Sequence, residues 1–210
     1  MKRILTITLF PVALLASWED HQVFETAMVH ALSNKAELVS ATFTNQLAEF
    51  IPASTNVNDC ATATLIFSIS TMALFEETLD NAMYLQNRNL ASNVFSFASL
   101  ETNSWQWLCA NLLLISSDTL DNKYLTAHNT ATNVLHIIAQ PGYTESTNRV
   151  LKAILKYTYE APDLTLQQAF STYAGLSLAV LKYPAEARAF VATHPLKYRQ
   201  MVEDILAEEP

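Results

Sequence analysis

Two stretches of this chain are versions of one another, and that self-similarity limits the fold more than any other feature. Residues 78–94 read TLDNAMYLQNRNLASNV, and residues 119–134 read TLDNKYLTAHNTATNV. With one single-residue gap, Thr78, Leu79, Asp80, Asn81, Tyr84, Leu85, Asn89, Ala91, Asn93 and Val94 fall on Thr119, Leu120, Asp121, Asn122, Tyr124, Leu125, Asn129, Ala131, Asn133 and Val134. A fainter copy lies upstream, where Leu32, Asn34, Lys35, Thr42, Thr44, Asn45 and Leu47 fall on Leu120, Asn122, Lys123, Thr130, Thr132, Asn133 and Leu135. The spacings, Leu32 to Leu79 and Leu79 to Leu120, are 47 and 41 residues. A period in that range is the sequence mark of helical repeats, whose units bury their apolar faces against one another.

Glycine narrows the choice further. Gly142 and Gly175 are the only two among 210 residues. No glycine-rich phosphate cradle, dinucleotide fingerprint or nucleophile elbow can be written with them, so no cofactor is expected on motif grounds. Tight β-hairpins also need residues that tolerate positive φ. Half the residues are hydrophobic and 15% are charged, which suits a folded, all-α chain. The formal net charge of −8 repels phosphate and anionic lipid, which argues against nucleic-acid binding. Seven of the twelve Lys and Arg lie from Arg149 onward, and residues 36–87 contain none.

Residues 1–17 have a basic start (Lys2, Arg3), an apolar run from Ile4 to Leu15, and small residues Ala16 and Ser17. That is the layout of a signal peptide, which would make the protein exported, periplasmic or secreted. The alternative is an N-terminal apolar helix of a cytoplasmic protein. The run is too short for an ordinary membrane span, and none is expected once a signal is removed.

Residues 18–140 then read as three αα-hairpins. A helix capped within Ser17 to Asp20 runs to about residue 32, and its partner runs from after Asn34 to Pro52. Asn58 or Asp59 caps an apolar helix over 61–75, whose partner starts at Asp80-Asn81. Trp105 to Ile115 is another apolar helix, with a partner starting at Asp121-Asn122 and stopped by Pro141-Gly142. Apolarity on every side predicts a helix covered on both flanks. Residues 141–210 read as an irregular helical cap of the same domain. There Arg149, Lys152 and Lys156 oppose an apolar face of Val150, Leu151, Ile154, Leu155 and Thr158, and Pro184 and Pro195 each open a helix. The expectation is about 8–10 helices in a short right-handed solenoid or an irregular bundle.

With these lengths and pairings the chain resembles the HEAT and armadillo class of α-solenoid over residues 18–140. Armadillo arrays that bind extended peptides carry a ladder of asparagines on the inner helix, and Trp-x-x-x-Asn pairs mark importin-like members. Here Asn45, Asn93 and Asn133 recur at one repeat position, and Trp107 to Asn111 has the paired spacing in one unit. The resemblance implies a peptide-binding groove lined by the second helices, with these five residues in contact with a protein or peptide partner. Asparagine is unfavourable inside a helix, so its recurrence asks for a reason. Three are open: amides offered to a bound backbone, amides satisfying carbonyls between repeats, or inheritance from duplication.

Catalytic constellations are sparse. His21 and Glu25 stand one turn apart with Asp20 beside them, but a metal site needs three or four ligands, and a solvated first turn is the plainer reading. His128 and His136 are eight apart with no carboxylate or cysteine joining them. Glu76, Glu77 and Asp80 form the densest acidic group, where a solvated helix end is expected. Cys60 and Cys109 allow one disulfide or two buried thiols. The reading is a non-enzymatic interaction scaffold or a subunit of a larger assembly. An exported assembly factor or inhibitor-like binder, and an all-α enzyme using His128, His136 and the acidic group, are the alternatives.

Overall fold

The structure, a computed structural model, describes residues 18, 20–97, 100–101, 104–159 and 164–208, with Tyr159 as backbone only. The leader-like segment 1–17 therefore lies outside the described residues. Among those described there are eleven α-helices, one 3₁₀ turn and no strand. The chain is all-α. The helices are α1 (His21–Ser33), α2 (Lys35–Leu38), α3 (Ala41–Ala53), α4 (Val57–Thr78), α5 (Asn81–Asn93), α6 (Trp105–Leu120), α7 (Tyr124–Ile138), α8 (Arg149–Tyr159), α9 (Leu166–Val180), α10 (Pro184–Val191) and α11 (Leu196–Ala207), with the 3₁₀ turn at Val94–Ser96.

Caps set most boundaries. The Asp20 carboxylate accepts from the Gln22 and Val23 amides to start α1. Thr165 and Gln168 form a capping box on α9. The second helix of the first hairpin differs from expectation: Val39-Ser40 divides it, and Ser40 accepts from Phe43 N to start α3. That division brings the count to eleven. Asn56, rather than Asn58 or Asp59, caps α4, because its side chain reaches both of their amides.

The motif's two turns also differ. Leu79 takes the left-handed conformation and Asp80 caps α5. In the second copy Asn122 is the left-handed residue and α7 starts at Tyr124 after Lys123, so Asp121 is not the cap. Freed from capping, Asp121 accepts from the Tyr84 hydroxyl at 2.7 Å and pairs with Arg88 and Lys123 at 3.0 and 2.7 Å.

α4 sits centrally, packed by α1, α3, α5 and α6. It is long and apolar enough to cross a membrane by length and composition, and 72% of its apolar window is buried within the fold. α6 lies between α5 and α7, and α9 packs on α7, α10 and α11. Gly175 allows the α9–α10 approach, since a Cβ there would lie 3.1 Å from the Ala187 carbonyl oxygen. One contact departs from a chain of nearest neighbours: α8 returns to pack against α1. Val150, Leu151, Ile154 and Leu155 are buried, Arg149, Lys152 and Lys156 are exposed, and Thr158 of the expected apolar face is exposed instead. The Asn148 carbonyl oxygen of the side chain caps α8, while its amide donates to Glu25 of α1 at 2.6 Å. Trp18, 1% exposed, packs edge-on to Phe24, Phe43 and Phe50 and joins α1 to α3.

The two cysteines do not pair; both are buried free thiols. The Cys60 thiol, at the start of α4, donates to the Ile51 and Ser54 carbonyls at the end of α3. Cys109 belongs to the main core, where burial and the nearby Glu145 charge push its thiol far above the usual range. Such a thiol is a small hydrophobe and a poor nucleophile.

Candidate functional site

Burial runs in step along the two motif helices. In both, the shared tyrosine is half-buried, the shared alanine and valine (Ala91 and Val94, Ala131 and Val134) are buried, and the rest of the shared helical residues are exposed. Those exposed residues are Leu85, Asn89 and Asn93 on α5, and Leu125, Asn129 and Asn133 on α7. Spacing of four places each set along one stripe of its helix. Leu85 and Leu125 are 58% and 62% exposed, so neither serves the core.

Asn45, Asn93 and Asn133 share one rotational position. Each is exposed, with a buried residue two before it and another just after: Phe43 and Gln46, Ala91 and Val94, Ala131 and Val134. None of the three side chains hydrogen-bonds another described residue. Their amides face solvent, and the inter-repeat structural role does not fall to them. It falls to Asn87, which the sequence pattern passes over because its counterpart is Ala127. Asn87 is 2% exposed; its amide donates to the Ser68 carbonyl and hydroxyl at 2.8 and 2.9 Å, and it accepts from Ser117 on α6 at 3.4 Å. Just outside, Arg88 joins Asp118 at 2.8 Å and Asp121 at 3.0 Å.

The Trp107–Asn111 pair does not reach that outward face. Trp107 packs edge-on to Phe95, and Asn111, 8% exposed, donates to the Trp107 carbonyl one turn back. That bond engages one N–H of the Asn111 amide within its own helix.

The titratable residues scatter. The His128 ring meets the Ala174 carbonyl and Phe190, while His136 stands exposed beside Gln140. Neither joins Glu76, Glu77 or Asp80. His21 reaches beyond its solvated first turn: its Nδ1 meets Asp59 of α4 at 2.7 Å and its Nε2 lies 3.5 Å from Glu25. With Asn148 this makes a polar tie across α1, α4 and α8. Among the described residues no group of three or more His, Cys, Asp or Glu is arranged to hold a metal ion.

A cleft of about 590 Å³ opens elsewhere, where α4, α6, α8, α9 and α11 meet. Ile69, Met72, Ala73 and Glu76 come from α4, and Leu113 and Ser116 from α6. Tyr157 and Thr158 of α8, Tyr173 of α9, and Lys197, Tyr198 and Met201 of α11 complete it. Burial, then the Glu76 and Glu77 charges, raise the Tyr157 hydroxyl above its ordinary value. In the sequence only Glu76 points here, because the three tyrosines lie on separate helices without shared spacing.

An all-α class is what the fold defines. The chain matches no known family model, no curated protein and no solved structure.

Proposed function

We propose that this chain is a non-enzymatic interaction subunit that takes a segment of a protein partner on the outward face of its second helices, α3, α5 and α7. One observation carries this reading: outside the turn, three of the six residues repeated identically between the two motif copies are exposed. Core packing explains a repeated Ala and Val. It does not explain repeated, solvent-facing Leu-x-x-x-Asn-x-x-x-Asn stripes, because exposed positions are where sequence is freest to drift. The asparagine amides can each donate to and accept from an extended backbone, and Leu85 and Leu125 add apolar contact. In this reading the three hairpins are a HEAT- or armadillo-like array with Asn45 as the remnant of a third stripe.

The test is site-specific photo-crosslinking from positions 89 and 129 of the full chain, with Glu186 as an exposed control. The proposal expects one protein adduct at both motif positions and none at 186, lost when Leu85, Asn93, Leu125 and Asn133 are changed to alanine. Equal adducts at all three positions, or adducts indifferent to those substitutions, overturn it.

A further inference from the structure

The cleft between α4, α6, α8, α9 and α11 is separate from the motif stripes and has a built character of its own. Its volume, about 590 Å³, falls in the range of small-molecule sites. Its walls combine the rings of Tyr157, Tyr173 and Tyr198 with the thioethers of Met72 and Met201, and Glu76 supplies a carboxylate at the rim. Aromatic faces carry negative potential and attract cations, and methionine adapts to varied apolar shapes.

We propose that this cleft binds a small organic ammonium compound, an amine or quaternary ammonium on an apolar or aromatic body. Three observations support a cation over an anion. Glu76 and Glu77 both act electrostatically on Tyr157, placing negative charge beside that ring. Lys35 is their counter-ion at 3.9 and 3.5 Å, but all three side chains are about half exposed, so the pairing is screened and readily exchanged. The wall also receives an ammonium already: Lys197 Nζ lies 6.0 Å from the centre of the Tyr198 ring. Lys197 would then compete with a bound cation, whereas an anionic ligand would depend on it.

Three probes of one skeleton separate these cases: 4-phenylbutylamine, 4-phenylbutan-1-ol and 4-phenylbutanoate, titrated by calorimetry against the full chain at low salt. The amine is expected to bind about fivefold or more tighter than the alcohol, with the acid weakest. Glu76→Gln should weaken the amine about threefold and leave the alcohol unchanged. Lys197→Met should strengthen the amine and weaken the acid. Both positions are exposed, so folding is not at stake, and circular dichroism of the variants checks it. Equal binding of the three probes, tighter binding of the acid, no binding of any, or an amine affinity untouched by Glu76→Gln overturns the proposal.

Discussion

Two asparagines six residues apart on α5 show how little residue type says about role. Asn87 is sealed among Ser68 and Ser117, and its loss removes its amide's bonds to the Ser68 carbonyl and hydroxyl and the bond from Ser117. Asn87→Ala is therefore expected to cost about 2–3 kcal/mol in urea unfolding, the scale of losing two or three buried hydrogen bonds. Asn93→Ala, on the outward stripe, should change stability by no more than about 0.5 kcal/mol in the same measurement, since alanine is the better helix former. Tyr143 gives a pH signature. Burial, then the Glu145 carboxylate that accepts from its hydroxyl, push it from 10.0 up to about 12. A raised phenol keeps its proton in the folded state while unfolded tyrosine ionises. Its contribution is complete below pH 10 and is lost as the pH rises toward 12. Tyr143→Phe should flatten the fall in unfolding free energy across that window, and an unchanged slope would contradict the assignment.

At the scale of elements, most helices were legible and most turns were not. α4, α6 and α8 follow from apolarity and period, because burial on both flanks or on one face writes itself into a dozen residues. Turns rest on one or two residues, and neighbouring candidates such as Asn56, Asn58 and Asp59 cap equally well in isolation. The motif itself misleads here. Identical Leu-Asp-Asn letters make two turns, and the second matches the α9–α10 link instead: amides of Asn122 and Lys123 reach Thr119 and Asp118, as those of Lys182 and Tyr183 reach Ala179 and Leu178. Asn122 and Lys182 hold φ of 60° and 62° in those equivalent places. In the first copy the left-handed position is Leu79, 74% exposed with φ 55°. A leucine held there is strained, so Leu79→Gly should raise stability by about 1 kcal/mol, seen as a higher Tm. A lower Tm would mean that the leucine contributes contacts worth more than its strain.

For the whole molecule, the decisive contact is α8 on α1, tied by Asn148 to Glu25 and reinforced by His21 to Asp59. It spans more than a hundred residues and leaves no periodic trace, so the repeats that end near residue 140 do not foretell it. A strictly nearest-neighbour array would keep its first hairpins folded without the remainder. Here residues 18–140 alone would expose the surfaces that α8 and α9 cover, and this fragment is expected to lack a cooperative thermal transition. The candidate stripe was half legible: Asn45, Asn93 and Asn133 stood out by recurrence, while the spacing of Trp107 and Asn111 does not tell an outward amide from one turned onto its own helix. The cleft was illegible, since its lining comes from five helices in no register.

If the repeated stripes serve partner binding, the fold does not need them. Thermal unfolding of the full chain with Leu85, Asn89, Asn93, Leu125, Asn129 and Asn133 all changed to alanine tests it without needing the partner. A single transition with Tm unchanged or raised is expected, because all six side chains face solvent and alanine favours the helix. A fall of more than about 5 °C, equivalent to about 1–2 kcal/mol for a chain of this size, would show instead that the repeated stripes serve the structure.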